Sequence, residues 1–64
     1  MNRRALEKHL RRHGCVFNHH GKKHDFWVNP AYVAIAPVPR HTYVKRGTVR
    51  SICRVLRIPL PDEL

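Results

Sequence analysis

Three short β-type segments follow one another between Gly14 and Pro39, each closed by a turn signal, and this run restricts the fold more tightly than any other feature. Cys15-Val16-Phe17-Asn18 leads to Gly21, His24-Asp25-Phe26-Trp27-Val28 to Asn29-Pro30, and Tyr32-Val33-Ala34-Ile35-Ala36 to Pro37 and Pro39. Aromatic and β-branched runs bounded by Gly, Asn and Pro read as strands, because the branched side chains suit a pleated surface and the bounding residues suit turns. The strands are expected at about 15–19, 24–29 and 32–37, with the first two as a hairpin and all three as a meander.

An amphipathic helix is expected on either side. Asn2 is a suitable N-cap, Leu6 and Leu10 make an i, i+4 stripe and Gly14 is a stop, which gives a helix over residues 3–13. Val49, Ile52, Cys53 and Leu56 fall at i, i+3, i+4 and i+7, which gives a second helix over about 48–57, ended by Pro59 and Pro61. The tail 59–64 is expected to fray. Helix, three strands, helix makes an α+β layer pair, both helices on one face of an antiparallel sheet and the other face open. A 64-residue chain buries only about 60 % of its unfolded surface, so residues 1–64 form one domain with one small core. No internal repeat, low-complexity tract or linker is evident.

Charge narrows the partners. Thirteen Lys and Arg stand against four Asp and Glu, a formal net charge of +9, and the cations run from Arg3 to Arg57 rather than forming a tail. A basic body of this kind suits a polyanion: nucleic acid first, an acidic protein second. No stretch is long and apolar enough to span a bilayer, and Met1-Asn2-Arg3-Arg4 runs into a charged segment without an apolar signal region. The expected location is the cytoplasm, where Cys15 and Cys53 are read as reduced, buried thiols.

The residue carrying the sharpest chemistry is His24, presented after Gly21-Lys22-Lys23 at the start of a strand. Imidazole is the side chain that exchanges protons near neutral pH. Cleavage of an RNA phosphodiester without a metal needs a base for the 2′-hydroxyl, an acid for the leaving 5′-oxygen and cations for the phosphate charge. His24 can supply acid or base, and Lys22, Lys23 and Arg40 the cations; the plain alternative is a solvated hairpin histidine. His41, after Pro39-Arg40, is a second acid or a phosphate contact, or else a loop residue bridging to the last helix. Lys45, Arg46 and Arg50 are further RNA-contact candidates, and Arg46, Arg50, Arg54 and Arg57 share a helix flank. Tyr32, Tyr43 and Trp27 can stack on unpaired bases, with Trp27 equally suited to the core and Phe17 and Phe26 assigned to it. If Phe26 and Val28 face the helices, alternation puts His24 on their face, and its place at the strand end must bring it to the open edge. His9 and His13 stand i, i+4, followed by His19, His20 and His24, but no paired Cys/His spacing matches a zinc site, so no metal or cofactor is expected.

Together these landmarks resemble the HicA toxins, small mRNA interferases paired with HicB antitoxins. The likeness covers roughly residues 3–60: a first helix ending in His13-Gly14-Cys15, Gly21 to His24 followed by Asp25-Phe26-Trp27, Asn29-Pro30, Pro39-Arg40-His41, and Gly47-Thr48-Val49-Arg50-Ser51-Ile52-Cys53. The resemblance implies a double-stranded-RNA-binding-domain-like α-β-β-β-α fold and ribosome-independent cleavage of mRNA by one histidine, at the position of His24. It also implies an acidic HicB-like antitoxin as inhibitor, with the toxin alone a monomer and larger assemblies built through the antitoxin. Where the family usually carries Gly-Ser before that histidine, this chain has Lys22-Lys23. His41 matches a histidine of the family's proline-containing segment. A fold of this kind also serves non-catalytic RNA-binding modules, or an inactive homologue that only binds its antitoxin.

Overall fold

The computed structural model describes residues 1–62 and 64 and has the order α1 (Arg3–Arg12), β1 (Val16–His20), β2 (His24–Asn29), β3 (Ala34–Pro39) and α2 (Arg46–Leu56). The three strands form one antiparallel sheet with β2 in the centre. This is the α+β arrangement expected from the pattern, and it agrees with the double-stranded-RNA-binding-domain-like fold that the resemblance implies.

Each helix starts and stops for a local reason. The Asn2 side-chain oxygen accepts the Arg4 amide at 2.8 Å, satisfying one free donor of the first turn. Gly14 follows the His13 C-cap at φ +86°, a conformation that glycine adopts without strain. α2 begins at Arg46, two residues before the expected start, because the Lys45 carbonyl already accepts the Val49 amide at 3.0 Å. It ends with Arg57 in the left-handed region and Ile58 N–H returning to the Cys53 carbonyl at 3.0 Å.

Both helices bury their apolar stripes on one sheet face. Leu6 and Leu10 from α1 meet Trp27, Ala36 and Val38 from the sheet and Val49, Ile52, Cys53 and Leu56 from α2 in a single core. Full burial of a leucine contributes about 1.5–3 kcal/mol, so these few side chains carry much of the stability of so small a domain. Cys15 and Cys53 are buried and unbonded, and burial pushes both thiols above the usual range. Asn29 is buried between layers, donating Nδ2–H to the Leu56 carbonyl at 2.7 Å and accepting the Ala31 amide at 3.1 Å. It thereby ties the end of α2 to the turn that follows β2.

The strands depart from the expected bounds for physical reasons. The amides of Tyr32 and Val33 reach back to the carbonyls of Asn29 and Pro30, so 30–33 is turn and β3 begins at Ala34. Pro37 and Pro39, expected to close the strand, lie within it, paired with Phe26 and His24. β3 is an edge strand, and an outer edge has no neighbour to receive the donor that proline lacks. β1 runs one residue later than expected, with a register shift between Phe17 and His19. The tail is not frayed where it is described: His9 Nε2–H donates to the Pro59 carbonyl at 2.7 Å, Pro61 is buried, and Leu64 packs on the core. Glu63, also in the expected tail, lies outside the described residues.

Candidate functional site

The alternation of β2 decides where His24 stands. Trp27 and Asn29 are the buried residues of the strand, so Phe26 and Val28 are only half-buried on the opposite face and His24 shares that face. The conflict seen in the sequence disappears because Trp27, not Phe26, is the core aromatic. Val16 and Ile35 on the same outer face are 49 % and 45 % exposed.

His24 is exposed at the hairpin turn. Gly21 N–H donates to the His24 carbonyl at 2.7 Å, closing the turn. A Cβ on Gly21 would lie 2.5 Å from a Phe26 ring carbon and 2.9 Å from the His24 carbonyl oxygen, so the close approach admits only glycine. Arg40 supports the turn from outside, with Nη1–H to Asp25 Oδ1 at 2.7 Å and Nη2–H to the carbonyls of Gly21 and Lys22 at 3.0 and 2.9 Å. Asp25 Oδ1 also accepts His20 Nδ1–H at 2.7 Å. The His20 hydrogen bond first, and then Arg40, hold the Asp25 carboxyl below the usual carboxylate range against the opposing effect of its burial.

The loop bearing His41 is anchored by the start of the chain. Arg3 N–H donates to the Thr42 carbonyl at 2.9 Å, and Met1 and Val44 exchange two 2.7 Å bonds through their nitrogen and carbonyl groups. The Asn2–Tyr43 bridge between these bonds is a pairing that Pro39-Arg40-His41 gives no local sign of.

His24 and His41 consequently line one open cavity of about 810 Å³ at the β3 edge. Pro37 and Pro39 form one wall, and Tyr43, Lys45, Thr48 and Ser51 contribute polar groups from the loop and α2. Of the cations expected at the site, Lys45 is in this cavity. Lys22 and Lys23 are exposed on the turn beside His24, and Arg50 is exposed on α2, without lining it. Arg46 lines a separate hollow with Met1 and Asn2. Arg40 spends its donor fork on the protein itself.

Trp27 is corrected from base-stacking candidate to core residue, since it is only 1 % exposed. The reverse holds for Phe17, expected in the core: on edge strand β1 it is 42 % exposed and meets Trp27 edge-on. Thr48 and Ser51 also line the cavity, and the one signal for them in the sequence is an i, i+3 spacing that puts them on one helix face. Among the described residues, no group of three or more His, Cys, Asp or Glu is placed to hold a metal ion.

The profile of the HicA toxin of bacterial toxin–antitoxin systems matches residues 3–58 of the chain. The chain belongs to the HicA toxin family. It is therefore a toxin of a toxin–antitoxin system, with an antitoxin as the partner that membership supplies. No protein of curated function and no solved structure matches it. Among the described residues of this HicA-family toxin, no helix is long and apolar enough to cross a membrane.

The Asp25 cluster of this toxin gives it a definite acid response. A carboxyl whose folded pKa is depressed contributes stability that is present above its unfolded value, about 3.9, and lost as pH falls through the lower folded value. Thermal unfolding followed from pH 6 down to about pH 2 should therefore show the parent losing more stability than Asp25→Asn over the acid range. Parallel curves for the two proteins would mean that the carboxylate contributes nothing.

Proposed function

We propose that this HicA-family toxin is a ribosome-independent endoribonuclease that cleaves single-stranded mRNA at the cavity shared by His24 and His41. The observation that supports this most is that two imidazoles distant in sequence, with Lys45 between loop and helix, line one open cavity of about 810 Å³. One imidazole takes the proton of the 2′-hydroxyl as its oxygen bonds to phosphorus. The other gives a proton to the 5′-oxygen as the P–O5′ bond breaks. His24 is assigned acid or base, and His41 the second role or a phosphate contact. Lys45 faces the phosphate charge that grows in the transition state, while exposed Lys22, Lys23, Arg46 and Arg50 hold flanking phosphates. The imidazoles supply both proton transfers, so the reaction as written needs no cofactor.

The inhibitor in this reading is an acidic, HicB-like antitoxin that covers His24. Net charge of +9 and the half-exposed apolar residues beside His24 on the outer sheet face, Phe26 and Val28, suit such a cover.

Cleavage of a long single-stranded RNA by the purified chain in excess chelator tests the activity. The inactive His24→Gln protein should still bind RNA, with log affinity falling against log salt by about 0.7 for each phosphate neutralised. A flat salt response would assign the charge to the protein partner instead. Intact RNA with the parent, together with salt-sensitive binding, would identify a non-catalytic RNA-binding module.

A further inference from the structure

We propose that Arg40 is a positioning residue that sets the two imidazoles of the cavity relative to each other, rather than a contact for the RNA phosphate. The inference rests on the cleavage reading above and concerns how that site is built.

The turn that carries His24 has one backbone bond of its own, Gly21 N–H to the His24 carbonyl. Beyond it, His20 contributes one side-chain hydrogen bond to Asp25, and Arg40 contributes three to the turn and the residue after His24. Its guanidinium reaches two successive turn carbonyls, Gly21 and Lys22, and the carboxylate of Asp25, the residue directly after His24. Three acceptors on both sides of the histidine are thus held by one planar group. The Asp25 side chain is only 13 % exposed while that of Arg40 is 36 % exposed, and His20 fixes the same carboxylate oxygen from β1.

The other end of Arg40 is equally committed. Its backbone follows Pro39, which pairs with His24 across the sheet, and precedes His41 directly. Its carbonyl accepts Arg3 Nη1–H at 2.5 Å, joining it to α1. One residue therefore links the turn bearing one imidazole to the loop bearing the other. A guanidinium suits this task because its donors point in fixed directions within a plane, whereas a lysine ammonium is a point charge on a flexible stem. With the fork turned toward the turn, its charge is partly neutralised by Asp25 and poorly disposed to an incoming phosphate.

The test compares the parent with Arg40→Lys and Arg40→Gln in the full chain, using single-stranded RNA for kinetics and salt-dependent binding. Amide hydrogen exchange at Gly21 provides a readout independent of activity. Displacing a catalytic group by about 1 Å costs on the order of 100-fold, so kcat should fall about that far in both variants. KM and the salt slope of RNA binding should stay unchanged, and Gly21 exchange should quicken. Asp25→Asn added to Arg40→Gln should cost little more, since both belong to one cluster. A raised KM with a slope shallower by about 0.7 would instead make Arg40 a phosphate ligand and overturn the proposal. Unchanged Gly21 exchange in both variants would overturn it too. If the parent itself cleaves no RNA, the cleavage reading fails, and with faster Gly21 exchange in the variants the clamp stands as a brace for the turn.

Discussion

His24→Ala should fold as the parent does and cleave RNA more slowly by about 100- to 10,000-fold, the range typical of a lost general acid or base. The fold should survive because the side chain is exposed at a turn, and the turn is held by backbone and Arg40 rather than by the imidazole. Circular dichroism of both proteins checks the first half of the expectation and the rate of cleavage in chelator checks the second. Full activity in a folded His24→Ala protein would remove this residue from the chemistry and leave His41 as the imidazole of the cavity. The same change at His41 should cost less if that residue only contacts phosphate, and a similar amount if it carries the second proton.

Trp27→Ala should cost about 3–5 kcal/mol of stability, the usual range for emptying a buried aromatic site. At roughly 0.05–0.15 kcal/mol per residue, a domain of 64 residues holds only about 3–10 kcal/mol in all. The variant is therefore expected to be largely unfolded or close to it, which urea titration followed by far-ultraviolet circular dichroism would measure. Trp27→Phe should be milder, because it keeps most of the ring and removes an indole N–H that has no hydrogen-bond partner in the core. The Arg11 guanidinium lies 5.1 Å from the ring centroid, so this core aromatic also seats a surface cation. A stable Trp27→Ala protein that had lost RNA binding would instead return the residue to the role of base-stacking platform.

The elements that rest on local chemistry were legible one by one. The N-cap at Asn2, the stop at Gly14 and the stripe from Val49 to Leu56 each announce themselves within a few residues, and the structure places them as expected. Strand bounds were less legible where tertiary position changes what a residue can do. Pro37 and Pro39 normally end a strand, yet they lie inside β3 because that strand has no neighbour on its outer side. Phe17 and Trp27 are both strand aromatics flanked by mixed neighbours. Only the layer order, which leaves β1 at an edge and β2 at the centre, sends one to the surface and the other to the core.

The site divides along the same line. His24 stands out in the sequence because glycine and two lysines lead into it, and the structure places it exposed at the turn. The cavity wall of Thr48 and Ser51, and the pairing of residues 1–3 with 42–44 that holds the His41 loop, had no local signal. Contacts between segments about 40 residues apart depend on how layers close, not on the composition of either segment. Arg40 illustrates the limit best: its type and charge suggest a phosphate contact, but only the fold shows that its fork bonds to the hairpin turn and Asp25.

By itself, the sequence determined the order of helices and strands, the single small domain, the basic surface and the histidine at the hairpin, since each follows from periodicity, turn chemistry or charge over short distances. The tertiary structure alone decided which face of β2 is buried, that His24 and His41 line one cavity, and that Arg40 bonds to the turn. A strand with apolar residues on both faces can be buried either way, and only packing against the helices selects one.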